Sequence, residues 1–324
     1  LVQNRDREAY VCGLLLPKDA RRSFFAIRSF NIELASIKDS QHSRNSVHTD
    51  NTATSKDSSL ALKVRMQWWR EALDHIYDGR NVMEHNPSHA NDLPNLLAQS
   101  YGKNPVVRIL QDAVKDKQLT RRFLERLLEA REGDLTVQQP VTEQEMLEYA
   151  DAIQSSLLYL SLETCGVRDD AADVVAQHAG IGIGLVTALR GARIRLSKSG
   201  ECPIPVELIE TRHLFPYHKL ILYDEIEAAK EENQLAPEER QIMQNAVEHV
   251  AGLAYYHLQK AQELQADVPK HARTCFLPVI PAMQYLSKLE AANYDLMDDR
   301  LLQQGSGYLK TLFLMTRTWL TGVF

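Results

Sequence analysis

The chain has 324 residues, 44% hydrophobic and 25% charged, a make-up that supports a sizeable buried core and excludes a disordered tail or a collagen-like repeat. Lys and Arg number 37 against 43 Asp and Glu, a formal net charge of −6, which argues against nucleic acid as principal partner because phosphate binding needs a basic excess. Gly (14) and Pro (12) are too sparse to punctuate an all-β sandwich, so helix is the expectation.

Residues 5–38 read as two helices broken at Leu16-Pro17, where proline suits a first helical turn, with Phe24, Ile27, Phe30, Ile32, Leu34 and Ile37 as an apolar stripe of helical period. From Ser40 to Ser59 almost nothing is apolar, so residues 40–59 are expected to be a polar, disordered insertion that interrupts the domain without dividing it. Helix resumes over 60–77 and stops at Asp78-Gly79-Arg80. After a second polar stretch with Pro87 and Pro94 it returns at 106–116. Longer helices are expected at 120–130, 142–165, 169–196, 237–264, 277–293 and from Gly307 to the C-terminus. Thr142 with Glu145 has capping-box spacing, and Pro237, Glu238 and Glu239 set proline and acids at a positive helix end. Residues 200–219, with Pro203, Pro205 and Pro216, are expected to be irregular. No internal repeat recurs.

Cys12, Cys165, Cys202 and Cys275 form no Cys-x-x-Cys pair, so neither a zinc site nor a disulfide framework is signalled and a reducing compartment fits. No uninterrupted apolar run reaches the ~18 residues that mark a membrane-spanning helix. The first residues, Leu1-Val-Gln-Asn-Arg5, lack an apolar signal core. Because the chain opens on Leu rather than Met, an upstream targeting segment is expected.

Gly180-Ile-Gly-Ile-Gly184 lies within a helical pattern, with no strand before it and no Lys-Ser/Thr pair. It reads as a place where helices approach closely or a ligand chain finds room, rather than as a phosphate loop. Asp295 and Asp299 have the i, i+4 spacing that on a helix holds magnesium against a diphosphate, but their Asp-rich, loop-like run reads as solvated surface. Trp68 and Trp69 point ~100° apart on a helix, so at most one faces a given pocket and core anchoring is favoured. No nucleophile elbow or local triad is present, and residue chemistry alone yields no catalytic centre.

Several stretches taken in order resemble the squalene/phytoene synthase family, all-α enzymes that condense two prenyl diphosphates head to head. Leu15-Leu-Pro17 with Ala26-Ile-Arg-Ser-Phe30 resembles the turn and helix leading to the family's first aspartate motif. Arg65-Met-Gln-Trp-Trp-Arg-Glu-Ala-Leu73, Ile76-Tyr-Asp-Gly79 and Asn104-Pro-Val-Val107 resemble its tryptophan-arginine helix and following segment. Tyr149-Ala-Asp-Ala-Ile-Gln-Ser-Ser156 is similar to its tyrosine-alanine helix, Leu185-Val-Thr-Ala-Leu-Arg190 to the approach to the second aspartate motif, and Tyr255-Tyr256 to its late aromatic pair. The likeness covers roughly residues 8–295. It implies an all-α, single-domain isoprenoid-synthase-like helical bundle around a central cavity, spanning 1–324.

The resemblance also implies two Asp-x-x-x-Asp motifs, because the family's magnesium ions bridge carboxylates to diphosphate. Here the first reads Ala35-Ser-Ile-Lys-Asp39 and the second Gly191-Ala-Arg-Ile-Arg195, so three of four carboxylates are replaced, at Ala35, Gly191 and Arg195. A unit charge ~6 Å from a divalent ion is worth roughly 5 kcal/mol at an effective dielectric of ~20. The second motif alone shifts the balance against a metal by three charges, two acids lost and one cation gained. No catalytic residue, cofactor or metal is therefore expected. Lys38, Arg190, Arg193 and Arg195 are instead candidates for direct contact with a phosphate or carboxylate.

Ser29-Phe-Asn-Ile-Glu-Leu-Ala35, Ile37-Lys-Asp-Ser40, Arg65-Met-Gln-Trp-Trp69 and Gln154-Ser-Ser-Leu-Leu-Tyr-Leu160 resemble a metal-site-deficient branch of the family that helps to build respiratory complex I. That likeness implies a non-catalytic assembly factor at the matrix face of the inner mitochondrial membrane. Its partners would be complex I subunits or assembly intermediates, with an isoprenoid or lipid as candidate occupant of the cavity. Two alternatives stay open: an active synthase with a rearranged metal site using Asp39 with Glu33 or Asp134, and a lipid carrier. The C-terminal stretch 307–324 is amphipathic, and a helix of ~17 residues spans ~25 Å, suited to the bilayer interface or a partner. Leu309, Leu312, Phe313, Trp319 and Leu320 are the candidate contacts, against the alternative that this helix packs back on its own bundle.

Overall fold

Helical propensity and apolar period carry through to the computed structural model, which describes residues 1–45, 53–78, 100–137, 139–209, 237–302 and 305–324. Among the described residues every regular element is helical and no strand occurs. Backbone contacts gather the chain into two compact units: Leu1–Leu135 with Tyr159–Arg168, and Thr136–Leu158 with Asp169–Phe324.

The first unit contains α1 (Val2–Arg5), α2 (Arg7–Leu15), α3 (Lys18–Asn45), α4 (Ala53–Asp78), α5 (Pro105–Lys117) and α6 (Arg121–Asp134). The break before α3 has a steric origin, because Pro17 disfavours helical backbone at Leu16, which is extended (φ −65°, ψ 159°). The stripe from Phe24 to Ile37 is buried throughout, on a helix that packs against α4, α5 and α6. Trp69 is buried with its ring edge-on to Phe30 at 5.2 Å, whereas half-buried Trp68 donates from Nε1 to Ser100 Oγ at 3.0 Å. The adjacent indoles meet edge-on at 4.9 Å while reaching different neighbours, and both anchor the unit.

One expectation is corrected on this helix pair. α3 runs through Asn45 and α4 begins at Ala53, so helix occupies both flanks of the expected 40–59 insertion, and 46–52 lies outside the described residues. Most polar side chains cost a helix only ~0.5 kcal/mol each, and an established helix propagates cooperatively at its ends. The second polar stretch, 79–99, with Pro87 and Pro94, also lies outside the described residues.

Segment Tyr159–Arg168 is tied to the first unit by Glu163. This buried carboxylate accepts from the Thr120 backbone N–H at 2.8 Å, from the Thr120 hydroxyl and from Arg168 at 2.5 Å. Arg168 also donates to the Lys117 carbonyl at 3.1 Å, so the turn into α6 is fastened by a residue 43 positions further along.

In the second unit, α7 (Glu143–Ala150) continues into a π-helical turn, Asp151–Ser155, and then α8 (Ser156–Thr164), whose residues from Tyr159 onward belong to the first unit's returning segment. The expected cap is present: Thr142 Oγ1 accepts from Glu145 N–H at 3.2 Å, while the Glu145 carboxylate accepts from Val141 N–H at 2.7 Å. Next come α9 (Asp170–Ser199), α10 (Val206–Ile209), α11 (Pro237–Glu263), α12 (Val279–Ala291) and α13 (Gly305–Thr321). α10 shortens the irregular stretch expected at 200–219, of which 210–219 lies outside the described residues. Asp169 caps α9 by accepting from Ala172 N–H at 3.0 Å, and Gly200 ends it in the left-handed region at φ 68°.

α9 is the hub of its unit, touching α7, the π turn, α11 and α12. Its glycines explain how. A Cβ on Gly180 would stand 2.5 Å from the backbone N and Cα of Ser155, and one on Gly184 2.9 Å from Ala150 Cα. On another side, a Cβ on Gly182 would meet Leu258 Cγ at 2.6 Å. Gly180-Ile-Gly-Ile-Gly184 is therefore a close-packing element within a helix, not a phosphate loop. Residues 170–197 are long and apolar enough to cross a bilayer, but 61% of the qualifying window is buried in protein, as befits a hub helix.

Candidate functional site

The first motif lies on α3. Ala35 is half-buried and Asp39 exposed, so Asp39 is the one acid of the 35–39 stretch. Lys38 reaches the carboxylate of Asp134, at the end of α6, with Nζ 3.2 Å from Oδ1; both side chains are about four-fifths buried, at 15% and 21% exposure. Asp134 is thereby engaged by a cation on the motif helix itself. Glu33 is half-buried on the same helix.

The stretch 191–195, compared above with the second motif, lies on α9, where Gly191 leaves room that its neighbour uses. Arg195 leans back along the helix and donates from Nη2 to the Ala188 carbonyl at 2.9 Å. A Cβ on Gly191 would lie 3.3 Å from its guanidinium nitrogens, so the glycine leaves the surface over which the arginine folds. Arg193 donates to the Met297 carbonyl at 3.1 Å and to Asp299 Oδ1 at 2.9 Å. Arg190 is exposed and stands over the Tyr285 ring at 5.4 Å. Burial pushes the Tyr285 hydroxyl up to about 12, against the opposing pull of Arg190. Of the four cations proposed as anion contacts, Lys38 and Arg193 are thus ion-paired to acids, and Arg195 is bonded to its own helix.

Asp295 and Asp299 are not on one helical face. Asp295 accepts from Met297 N–H at 2.9 Å in a turn, and Asp299 opens a single 3₁₀ turn, Asp299–Leu301. Among the described residues no three His, Cys, Asp or Glu side chains are gathered so as to hold a metal ion. None of the four cysteines, all among the described residues, is in a disulfide, and burial pushes the thiol of Cys12 up. The late aromatic pair, Tyr255 and Tyr256, is exposed on α11.

One constellation had no sequence signal. His178 on α9 and His257 on α11 face each other with Nδ1 atoms 3.1 Å apart, and Tyr256 meets both rings edge-on. Desolvation holds both imidazoles below their ordinary value of 6.5; Lys260 adds to the effect at His178, and His178 at His257, where Asp151 opposes it. The partners are 79 residues apart, a separation no local pattern reports.

The C-terminal helix, α13, divides its residues between two sides. Met315 is buried, Thr311 donates to Gln284 on α12, and beyond the helix Phe324 stacks on Phe276 at 4.8 Å. Phe313, Trp319 and Leu320 are exposed and Leu312 is half-buried. The Leu309 side chain lies outside the described residues. Packing on its own unit and outward display of apolar side chains are therefore both realised.

The all-α architecture agrees with the comparison to known families. The model described as squalene/phytoene synthase matches residues 2–306, and the chain belongs to this family. Among its relatives is a Bos taurus protein named "NADH dehydrogenase (ubiquinone) complex I, assembly factor 6", 31% identical over 98% of this chain and 80% of its own length. The Homo sapiens protein of that name is 30% identical with the same coverage, and a Dictyostelium discoideum homolog is 28% identical over 94% of this chain and 72% of its own length. Similar solved structures include a dehydrosqualene synthase (TM-score 0.64, 15% identity, 99% of this chain and 94% of that one). Squalene synthase HpnC from Alicyclobacillus acidocaldarius is another (TM-score 0.61, 14% identity, 88% of each chain). At these identities the structures establish the fold.

Proposed function

We propose that this chain is a non-catalytic assembly factor for respiratory complex I, a squalene/phytoene synthase-like pseudoenzyme that acts peripherally at the matrix face of the inner mitochondrial membrane. Relatives bearing the assembly-factor name along nearly the whole chain support the role. The loss of chemistry is carried by one observation: Arg195 lies over Gly191 and bonds the Ala188 carbonyl, which sets a cation, and no acid, where the family resemblance calls for an aspartate pair. On α3, the ion pair between Lys38 and Asp134 occupies one acid that a rearranged site would draw on. These side chains do not suit the divalent ions that the family's chemistry uses, because each cation opposes what each lost carboxylate would have attracted.

Purified protein incubated with farnesyl or geranylgeranyl diphosphate and magnesium is expected to form no product, and affinity capture from mitochondria is expected to recover complex I assembly intermediates. Turnover abolished by Asp39→Ala, or a capture lacking those intermediates, would overturn this reading.

A further inference from the structure

The outer face of α13 is built to a pattern that its own fold does not use. Lys310, Phe313, Arg317 and Leu320 follow i, i+3, i+7, i+10 spacing and are all exposed, Phe313 at 68% and Leu320 at 72%. Trp319 and, just past the helix, Val323 extend the apolar area on the flanks, at 46% and 56% exposure. The inner face is pinned at several points: Met315 is buried, Thr311 bonds Gln284, Arg273 donates to the Gly322 carbonyl at 3.1 Å, and Phe324 N–H donates to Gln265 at 3.1 Å. The helix is thus held in place while its outer row of large apolar and cationic side chains faces water.

Charge selects the occupant. Residues 301–324 contain no Asp or Glu, so Lys310 and Arg317 are the charged side chains of this segment and both are positive. Apolar anchors alternating with cations suit the boundary of an anionic bilayer, where rings and Leu enter the acyl edge and long basic side chains reach phosphate. A protein partner of comparable size would more commonly meet several polar groups free to form directed hydrogen bonds, whereas beside the two cations this face offers the Thr316 hydroxyl, which already donates to the Leu312 carbonyl, and the Trp319 indole N–H, which suits a headgroup boundary.

We infer that the outer face of α13 is a docking surface for an anionic phospholipid membrane, with Phe313, Trp319 and Leu320 inserted at the headgroup boundary and Lys310 and Arg317 bound to lipid phosphates. This deepens the peripheral membrane contact proposed above and rests on that reading only for which membrane is met.

Flotation of the full chain with phosphatidylcholine vesicles, with and without added cardiolipin, tests the surface. Binding is expected to favour the cardiolipin vesicles and to weaken with salt. Phe313→Ser with Leu320→Ser should lower vesicle partitioning ~10-fold or more, and Lys310→Gln with Arg317→Gln should abolish the preference for cardiolipin. Each variant is accepted only if its thermal unfolding midpoint matches the parent's. Absence of vesicle binding by the parent chain, or unchanged partitioning of the Phe313→Ser/Leu320→Ser variant, would overturn the inference. Free inorganic phosphate at millimolar concentration should not compete; full competition would assign the cations to a soluble anion and overturn it too. Failure of the mitochondrial capture described above would strike the assembly-factor reading while leaving the vesicle result intact.

Discussion

On α3, the motif cation Lys38 is balanced by an acid from another helix, Asp134. On α9, Arg195 ends on a carbonyl of its own helix, and Arg193 divides its bonds between a carbonyl and Asp299, whose side chain is 84% exposed. The first region has a charge problem solved by a side chain; the second has a space problem solved by leaving side chains out. The two regions are therefore stable for different reasons, and they should respond to different kinds of substitution.

Volume should matter most on α9. Gly180→Val places methyl groups against the backbone of Ser155, already 2.5 Å from an ideal Cβ, and is expected to cost more than ~3 kcal/mol or prevent folding. Urea unfolding, or the yield of soluble protein, reports it. Gly191→Ala on the same helix should stay within ~0.5 kcal/mol, because the nearest atoms belong to the movable end of Arg195. If both substitutions cost the same, the contrast between a glycine packed on backbone and one covered by a movable side chain fails.

Charge should matter next, on α3. Lys38→Met removes the cation 3.2 Å from the mostly buried Asp134 carboxylate and is expected to cost ~1–3 kcal/mol, with most of the loss recovered on adding Asp134→Leu. A double-mutant cycle by chemical denaturation measures the coupling. Additive losses would show that the pair does not act as a unit.

The His178–His257 contact sharpens the comparison by adding pH. Both imidazoles have lowered native values, so the unfolded chain binds more protons than the native one once pH falls below about 6.5. Stability is therefore full above that pH and declines as pH falls towards the lowered native values. Lys260 reinforces the loss and Asp151 moderates it. His178→Gln should flatten the decline in denaturant midpoint between neutral and mildly acidic pH. An unchanged slope would remove the pair as its source.

The smallest effect belongs to Arg193→Gln. Because Asp299 is so exposed, losing the ion pair should change stability by less than ~1 kcal/mol, as read by thermal unfolding. A larger loss would locate the importance of Arg193 in its bond to the Met297 carbonyl.

Much of the helical framework was legible from local rules. The stripe of α3, the break at Pro17, the Thr142 cap and the extent of α11 each depend on residues within a few positions of one another. The end of α3 at Asn45 was not legible, because composition reports what a segment is unable to bury and not how far a formed helix propagates. The motif positions could be named, but the destination of each side chain could not. Lys38 meets an acid 96 residues away and Arg193 one 106 residues away, whereas Asp295 and Asp299 had suitable spacing yet no shared helix.

By itself the sequence determined the helical class and the family likeness, and it placed Ala, Gly and Arg at 35, 191 and 195, since these depend on residue identity, order and local period. Only the tertiary structure decided which faces of α9 the glycines serve, which acid answers Lys38, that His178 meets His257, and that α13 turns one side inward and one outward. Those outcomes depend on contacts between helices distant along the chain, where the energy lies in shape and burial that local pattern does not encode.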